Sequence, residues 1–135
     1  MKILVTGATG KVGSRLTKRL AQRGDQVRAL VRDPARATDL SEGPVELAKG
    51  DLLDEASLVA AVRGVDAVVH CAAFFRGATA EQAHEVNDLG TQHLAKAARD
   101  ASVKRLDAAW RDRFAVPSDA VHRLRERLGR ALGSL

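Results

Sequence analysis

Apolar positions change period repeatedly along the first hundred residues. Lys2 to Thr6 is a short apolar run rich in β-branched residues, ending in a Gly-rich turn, and its composition predicts a strand. Val12, Leu16, Leu20 and Ala21 then recur at helical spacing until Gly24 stops the helix. Gln26 to Val31 reads as a second strand closed by Arg32-Asp33-Pro34, and Val45 to Ala48 as a weaker third. Asp54 to Val62 predicts a helix with Leu58, Ala61 and Val62 on one side. Val65 to Cys71 is apolar enough for a strand covered on both faces. In the helix predicted over Glu81 to Asp100, the stripe Ala83, Val86, Gly90, Leu94 and Ala97 faces the core. Strands separated by helices imply βαβ units, hence a parallel sheet with right-handed crossovers. The expectation is a three-layer α/β domain over residues 1–104 with strand order 3-2-1-4.

The pattern changes near residue 105, after which no strand is expected. Leu106, Trp110 and Phe114 share a helical face, Pro117-Ser118 breaks the chain with Ser118 as N-cap, and Val121, Leu124, Leu128 and Leu132 form a second stripe ending at Gly133. Residues 105–135 therefore read as a helical tail.

Composition narrows the function classes. The chain has 135 residues, 45% apolar and 29% charged, which suits one globular domain. A single Cys excludes an intrachain disulfide framework and fits a reducing cytosol. No apolar run approaches a membrane span, and Ile3-Leu4-Val5 is too short for a signal peptide, so a cytoplasmic location is expected. The net charge of +5 is spread along the chain, and aromatics make up only 3%, unlike a nucleic-acid-binding stripe. There is no Tyr.

The sharpest motif is Thr6-Gly7-Ala8-Thr9-Gly10-Lys11-Val12-Gly13, between the first strand and first helix. Gly7 permits a tight turn, Gly10 lets a pyrophosphate approach the backbone, and Gly13 lets the helix pack close to the strand. The helix N-terminus offers unpaired N–H groups and the positive end of its dipole. With ALVRDP at 29–34, GDLLD at 50–54, VDAVVHCAA at 65–73 and VNDLGTQHLAKAA at 86–98, the chain resembles the short-chain dehydrogenase/reductase superfamily over residues 1–104. The likeness is to its extended or atypical branch, near the NAD-dependent epimerase/dehydratase group, and implies a Rossmann-type fold.

That resemblance implies a cofactor site. Gly7, Thr9, Gly10, Lys11, Val12 and Gly13 would surround the pyrophosphate. Asp51 and Leu52 would sit at the adenine, Ala72 and Ala73 would line the ribose and nicotinamide side, and Asn87 would lie near the cofactor. An NAD enzyme normally ends its second strand in a carboxylate for the ribose 2′-OH. Here Val31 holds that position and Arg32 follows, and a guanidinium attracts a 2′-phosphate, so NADP(H) is favoured over NAD(H).

The resemblance also implies a Tyr acid/base with a Lys four residues on, and an orienting Ser or Thr, after the fifth strand. Val103-Lys104-Arg105 matches the approach to that strand, whereas Leu106-Asp107-Ala108-Ala109-Trp110 does not continue it. No catalytic residue is therefore assigned. Cys71 with His84 or His93 is a conceivable pair, but a buried thiol is the simpler reading. His70 and His122 have no partners indicated by spacing, and no grouping has metal-ligand spacing. Without a fifth strand the fourth would be an apolar edge, covered by the tail helices or by a homodimer or partner subunit. The composition change at 105 also suits a frameshift or gene-fusion remnant. The leading expectation is a truncated NAD(P)-binding module. The alternatives are an oxidoreductase completed by a partner subunit and a non-catalytic NADP(H)-sensing regulator.

Overall fold

The computed structural model describes residues 1–41, 43–71 and 79–108. Its strands are β1 (Lys2–Thr6), β2 (Gln26–Val31), β3 (Val45–Lys49), β4 (Ala67–His70) and β5 (Arg105–Ala108). Its helices are α1 (Lys11–Gln22), α2 (Thr38–Ser41), α3 (Glu55–Ala61) and α4 (Ala80–Asp100). All strand pairs are parallel, in the order β3-β2-β1-β4-β5.

Side-chain alternation along the strands builds the three layers. Ile3 and Val5 of β1 join Val27, Ala29 and Val31 of β2 in a core that receives Leu16 and Leu20 of α1 and Leu40 of α2. Leu4, Leu30 and Val68 face the opposite way and meet Leu58, Ala61 and Val62 at α3 and Leu94, Ala97 and Ala98 on α4. The first four strands, in the order 3-2-1-4, and the three long helices follow the sequence reading.

Two differences stand out, one with a local cause and one with a tertiary cause. Pro34–Arg36 forms a 3-10 turn, and α2 follows it. The Asp33 side chain accepts from the Ala35 N–H, and Ala37 and Leu40 are buried, so this connection is anchored to the core. The larger difference is β5. The sequence pattern places Leu106 on a helix and leaves β4 as the edge; instead residues 105–108 pair with Ala67–His70, and Leu106 packs against the α3–α4 core. An apolar strand with an open ladder recruits the next extended segment, and that gain overrides a short helical periodicity. The exposed fourth-strand edge is thus corrected: β5 covers it. Trp110, Phe114, Ser118, Val121, His122, Leu124, Leu128 and Leu132, with the expected tail helices, lie outside the described residues.

One buried charge shapes the α3 side. Arg28 donates from Nη1 to the carbonyls of Ala61 (2.6 Å) and Arg63 (2.8 Å), at the C-terminal end of α3. Its Nε lies 3.2 Å from Glu46 Oε1, and this bond holds the Glu46 carboxyl below its ordinary value. Cations suit helix C-termini, where carbonyls lack intrahelical donors.

Candidate functional site

The glycine turn behaves as its spacing requires. Gly7 has φ of +67°, a left-handed conformation that favours Gly, and its carbonyl accepts from the Gly10 N–H at 3.0 Å. Gly10 caps α1 in extended conformation, with no side-chain cap and no acid in the first turn. The opening N–H groups of α1 therefore keep their capacity for an anion. A Cβ on Gly13 would stand 2.0 Å from the Gly7 carbonyl oxygen, so only Gly lets α1 close onto the turn. A Cβ on Gly10 would approach the same oxygen to 3.3 Å, a tight but survivable contact.

Around this turn Thr9, Lys11 and Val12 are exposed. Val12 corrects the expected buried stripe of α1: it is 63% exposed, while Gly13, Leu16, Thr17 and Leu20 are buried. The inward face begins at Gly13 because that residue contacts Gly7. Thr17 is tolerated inside because its hydroxyl donates to the Gly13 carbonyl at 2.7 Å.

Parallel strands bring the other positions to the same edge, since Thr6 pairs with both Leu30 and His70, and Val31 with Lys49. Arg32 is exposed immediately after β2. Asp33 is committed to its turn, bonding Ala35 and lying 3.7 Å from Arg36. Beyond β3, the Asp51 Oδ1 accepts from the Leu53 N–H at 2.9 Å, and Ser57 Oγ accepts from the Asp51 N–H at 3.0 Å. Leu52 rests on α4, where a Cβ at Gly90 would come within 2.9 Å of the Leu52 Cβ. The Leu52 carbonyl accepts from His93 Nδ1 at 2.9 Å. Gly90, on the stripe expected to face inward, and His93, whose contact periodicity did not signal, thus seat the 51–54 loop.

Asn87 is 7% exposed on the inner side of α4. One turn later, Thr91 donates to the Asn87 carbonyl at 2.7 Å and lies 3.1 Å from His70 Nε2. The other ring nitrogen, His70 Nδ1, lies 2.6 Å from Thr6 Oγ1. Sequence reasoning gave His70 no partner; the register Thr6 to His70 is what pairs them. Burial pushes His70 down to about 4 and the Cys71 thiol up to about 11, which favours the thiol over the thiolate near neutrality. Ala72 and Ala73 and the His84 side chain lie outside the described residues. Among the described residues no three His, Cys, Asp or Glu side chains gather as a metal site. No helix there is long and apolar enough to cross a membrane.

A hollow of about 430 Å³ at the opposite edge of the sheet, lined by Lys2, Asp25, Gln26 and Glu46, has its charges already paired: Lys2 with Glu46, and Asp25 with Arg23. The uncapped turn at the carboxyl edge is different. Its glycines, its opening amides and the absence of a first-turn acid fit a dinucleotide diphosphate.

Residues 7–108 match the family described as NAD(P)H-binding. The chain belongs to that family. It is 41% identical over 108 residues to the sterol demethylase protein B of Methylococcus capsulatus, covering 78% of this chain and 33% of that one. Among solved structures it is similar to a short-chain dehydrogenase/reductase superfamily protein from Agrobacterium tumefaciens with bound NAD, at 35% identity and a TM-score of 0.68, covering 80% of this chain and 32% of that one. It is also similar to an NADPH-dependent quinone oxidoreductase from Escherichia coli complexed with NADPH, at 29% identity and a TM-score of 0.66, covering 78% and 35%. The chain spans about a third of the length of the curated relatives it matches. Residues 7–108 carry the NAD(P)-binding, Rossmann-type sheet of the short-chain dehydrogenase/reductase superfamily, as residues 6–13 and the four later motifs implied.

Proposed function

We propose that the chain is the cofactor-holding part of a reductase and takes NADP(H) in preference to NAD(H). The carrying observation is the first turn of α1: no side chain caps it, no acid opposes an anion, and glycines stand at its entry. In this reading Gly7, Thr9, Gly10, Lys11, Val12 and Gly13 enclose the diphosphate, and the α1 amides donate to its oxygens. Arg32 pairs with the 2′-phosphate, since Asp33 is held by its own turn and does not compete for the ribose. The Asp51 carboxylate, oriented by the Leu53 N–H, accepts from the adenine amino group beside Leu52. Asn87 serves the ribose and nicotinamide side, the role the resemblance also implies for Ala72 and Ala73.

A bound nicotinamide supplies hydride chemistry. These residues bind it, orient it and exclude water; the 135 residues contain no Tyr for the superfamily's proton transfer. The acid/base group of any turnover thus comes from outside them or is of another kind. Cytoplasmic residence is part of the same reading, resting on the lone Cys71.

Titration with NADPH and NADH, followed by nicotinamide fluorescence, tests the proposal. Saturable binding with NADPH tighter is expected. No response to either overturns the site, and tighter NADH binding overturns the role of Arg32.

A further inference from the structure

We propose that His70 is a positioning residue for the cofactor mouth, its imidazole tying the start of the glycine turn to the turn of α4 that carries Asn87. The inference rests on the NADP(H) site proposed above.

Hydroxyl arithmetic fixes the direction of this tie. Thr91 has one hydroxyl hydrogen, and it goes to the Asn87 carbonyl at 2.7 Å. Toward His70, 3.1 Å away, the Thr91 oxygen is therefore the acceptor, and Nε2 carries the ring proton. Nδ1 is then the lone-pair nitrogen and accepts from the Thr6 hydroxyl at 2.6 Å. The bonds run one way: Thr6 to His70, His70 to Thr91, Thr91 to Asn87. Burial supports the neutral ring, holding its pKa near 4.

The location separates this tie from ordinary packing. Thr6 and His70 already face each other in the β1–β4 ladder, so strand pairing does not need the side-chain bonds. What the ring adds is a polar link from the sheet to α4. It is made at the last residue of β1, next to Gly7, and at the last residue of β4. An aliphatic side chain would leave the buried Thr6 hydroxyl without its acceptor and the Thr91 oxygen without the Nε2 donor. A polar connection at that cost, at the edge where the diphosphate is proposed to sit, fixes the Gly7 turn and the Asn87 turn relative to each other.

The test compares a ligand that spans both turns with one that does not. NADPH reaches the glycine turn and the Asn87 side; 2′-AMP carries only the adenine, ribose and 2′-phosphate expected at Asp51 and Arg32. Dissociation constants of both are measured for the wild type, His70→Leu, His70→Gln and Thr91→Val, with melting temperatures alongside. We expect His70→Leu to weaken NADPH about tenfold while 2′-AMP stays within about twofold. Thr91→Val should weaken NADPH about threefold, and His70→Gln, which keeps an amide donor, should recover part of the loss. Parallel weakening of both ligands means a merely structural ring and overturns the inference, as does wild-type NADPH affinity in His70→Leu and Thr91→Val. If His70→Leu does not fold, Thr91→Val decides by the same selectivity. Wild-type protein that binds neither NADPH nor NADH overturns the underlying site instead. Imidazole ¹⁵N shifts give a separate readout: the proton is expected on Nε2, and a proton on Nδ1 refutes the direction of the chain.

Discussion

Replacing Gly13 and Gly10 by Ala in turn separates the glycine that the fold needs from the glycine that the ligand needs. At Gly13 the new Cβ would meet the Gly7 oxygen at 2.0 Å, the Gly7 carbonyl carbon at 2.7 Å and the Ala8 Cα at 3.1 Å. All three are backbone atoms, and Gly7 is fixed by its left-handed φ and its bond from the Gly10 N–H, so the turn cannot swing aside. The start of α1 must withdraw by about 1.4 Å to regain van der Waals contact. That motion loosens Leu16 and Leu20 from the sheet, and overpacking of this kind costs about 1–3 kcal/mol. In a domain of this size the melting temperature should fall by roughly 5–10 °C. The α1 amides withdraw as well. Losing one charge-assisted hydrogen bond, worth about 1.5–3 kcal/mol, weakens NADPH at least about tenfold. Gly10→Ala meets the Gly7 oxygen at 3.3 Å and nothing else so near, so its stability cost should stay below about 1 kcal/mol. Its methyl group would stand in the approach of the diphosphate and reduce affinity as strongly. Thermal melts and NADPH titrations of both variants give the comparison. Wild-type stability for Gly13→Ala, or equal destabilisation by the two, refutes the close-approach argument; wild-type affinity for Gly10→Ala refutes the proposed pose.

Three further outcomes follow from other parts of the molecule. His70 is depressed in the folded state from 6.5 to about 4, so the unfolded chain takes up its proton first as pH falls. The associated stability is complete above about pH 6.5 and declines toward pH 4 by up to about 3 kcal/mol. Urea unfolding at several pH values should show this decline reduced in His70→Gln, and equal slopes would contradict it. Arg28→Met leaves the Ala61 and Arg63 carbonyls without their donor and should cost about 2 kcal/mol, with faster amide exchange at the end of α3; an unchanged denaturation midpoint would argue against the clamp. Arg32→Glu should reverse the preference between NADPH and NADH in paired titrations, and a retained NADPH preference would show that the 2′-phosphate is recognised elsewhere.

The alternation of strands and helices, the parallel order of the first four strands and the glycine turn were all legible in the residues alone. These rest on properties local in the chain: apolar period, the unique backbone freedom of Gly7, and the volume of a missing Cβ at Gly13. Tertiary structure alone decided β5, because residues 105–108 become a strand only when the β4 ladder lies beside them. It also decided which polar side chains meet. Thr6 and His70 are 64 residues apart, and His93 reaches the Leu52 carbonyl from another element. Such bonds depend on register and on helix placement over the sheet, and no short-range periodicity records either. Hydrophobic pattern says which face turns inward; only packing says which hydroxyl, ring or carbonyl waits on the other side.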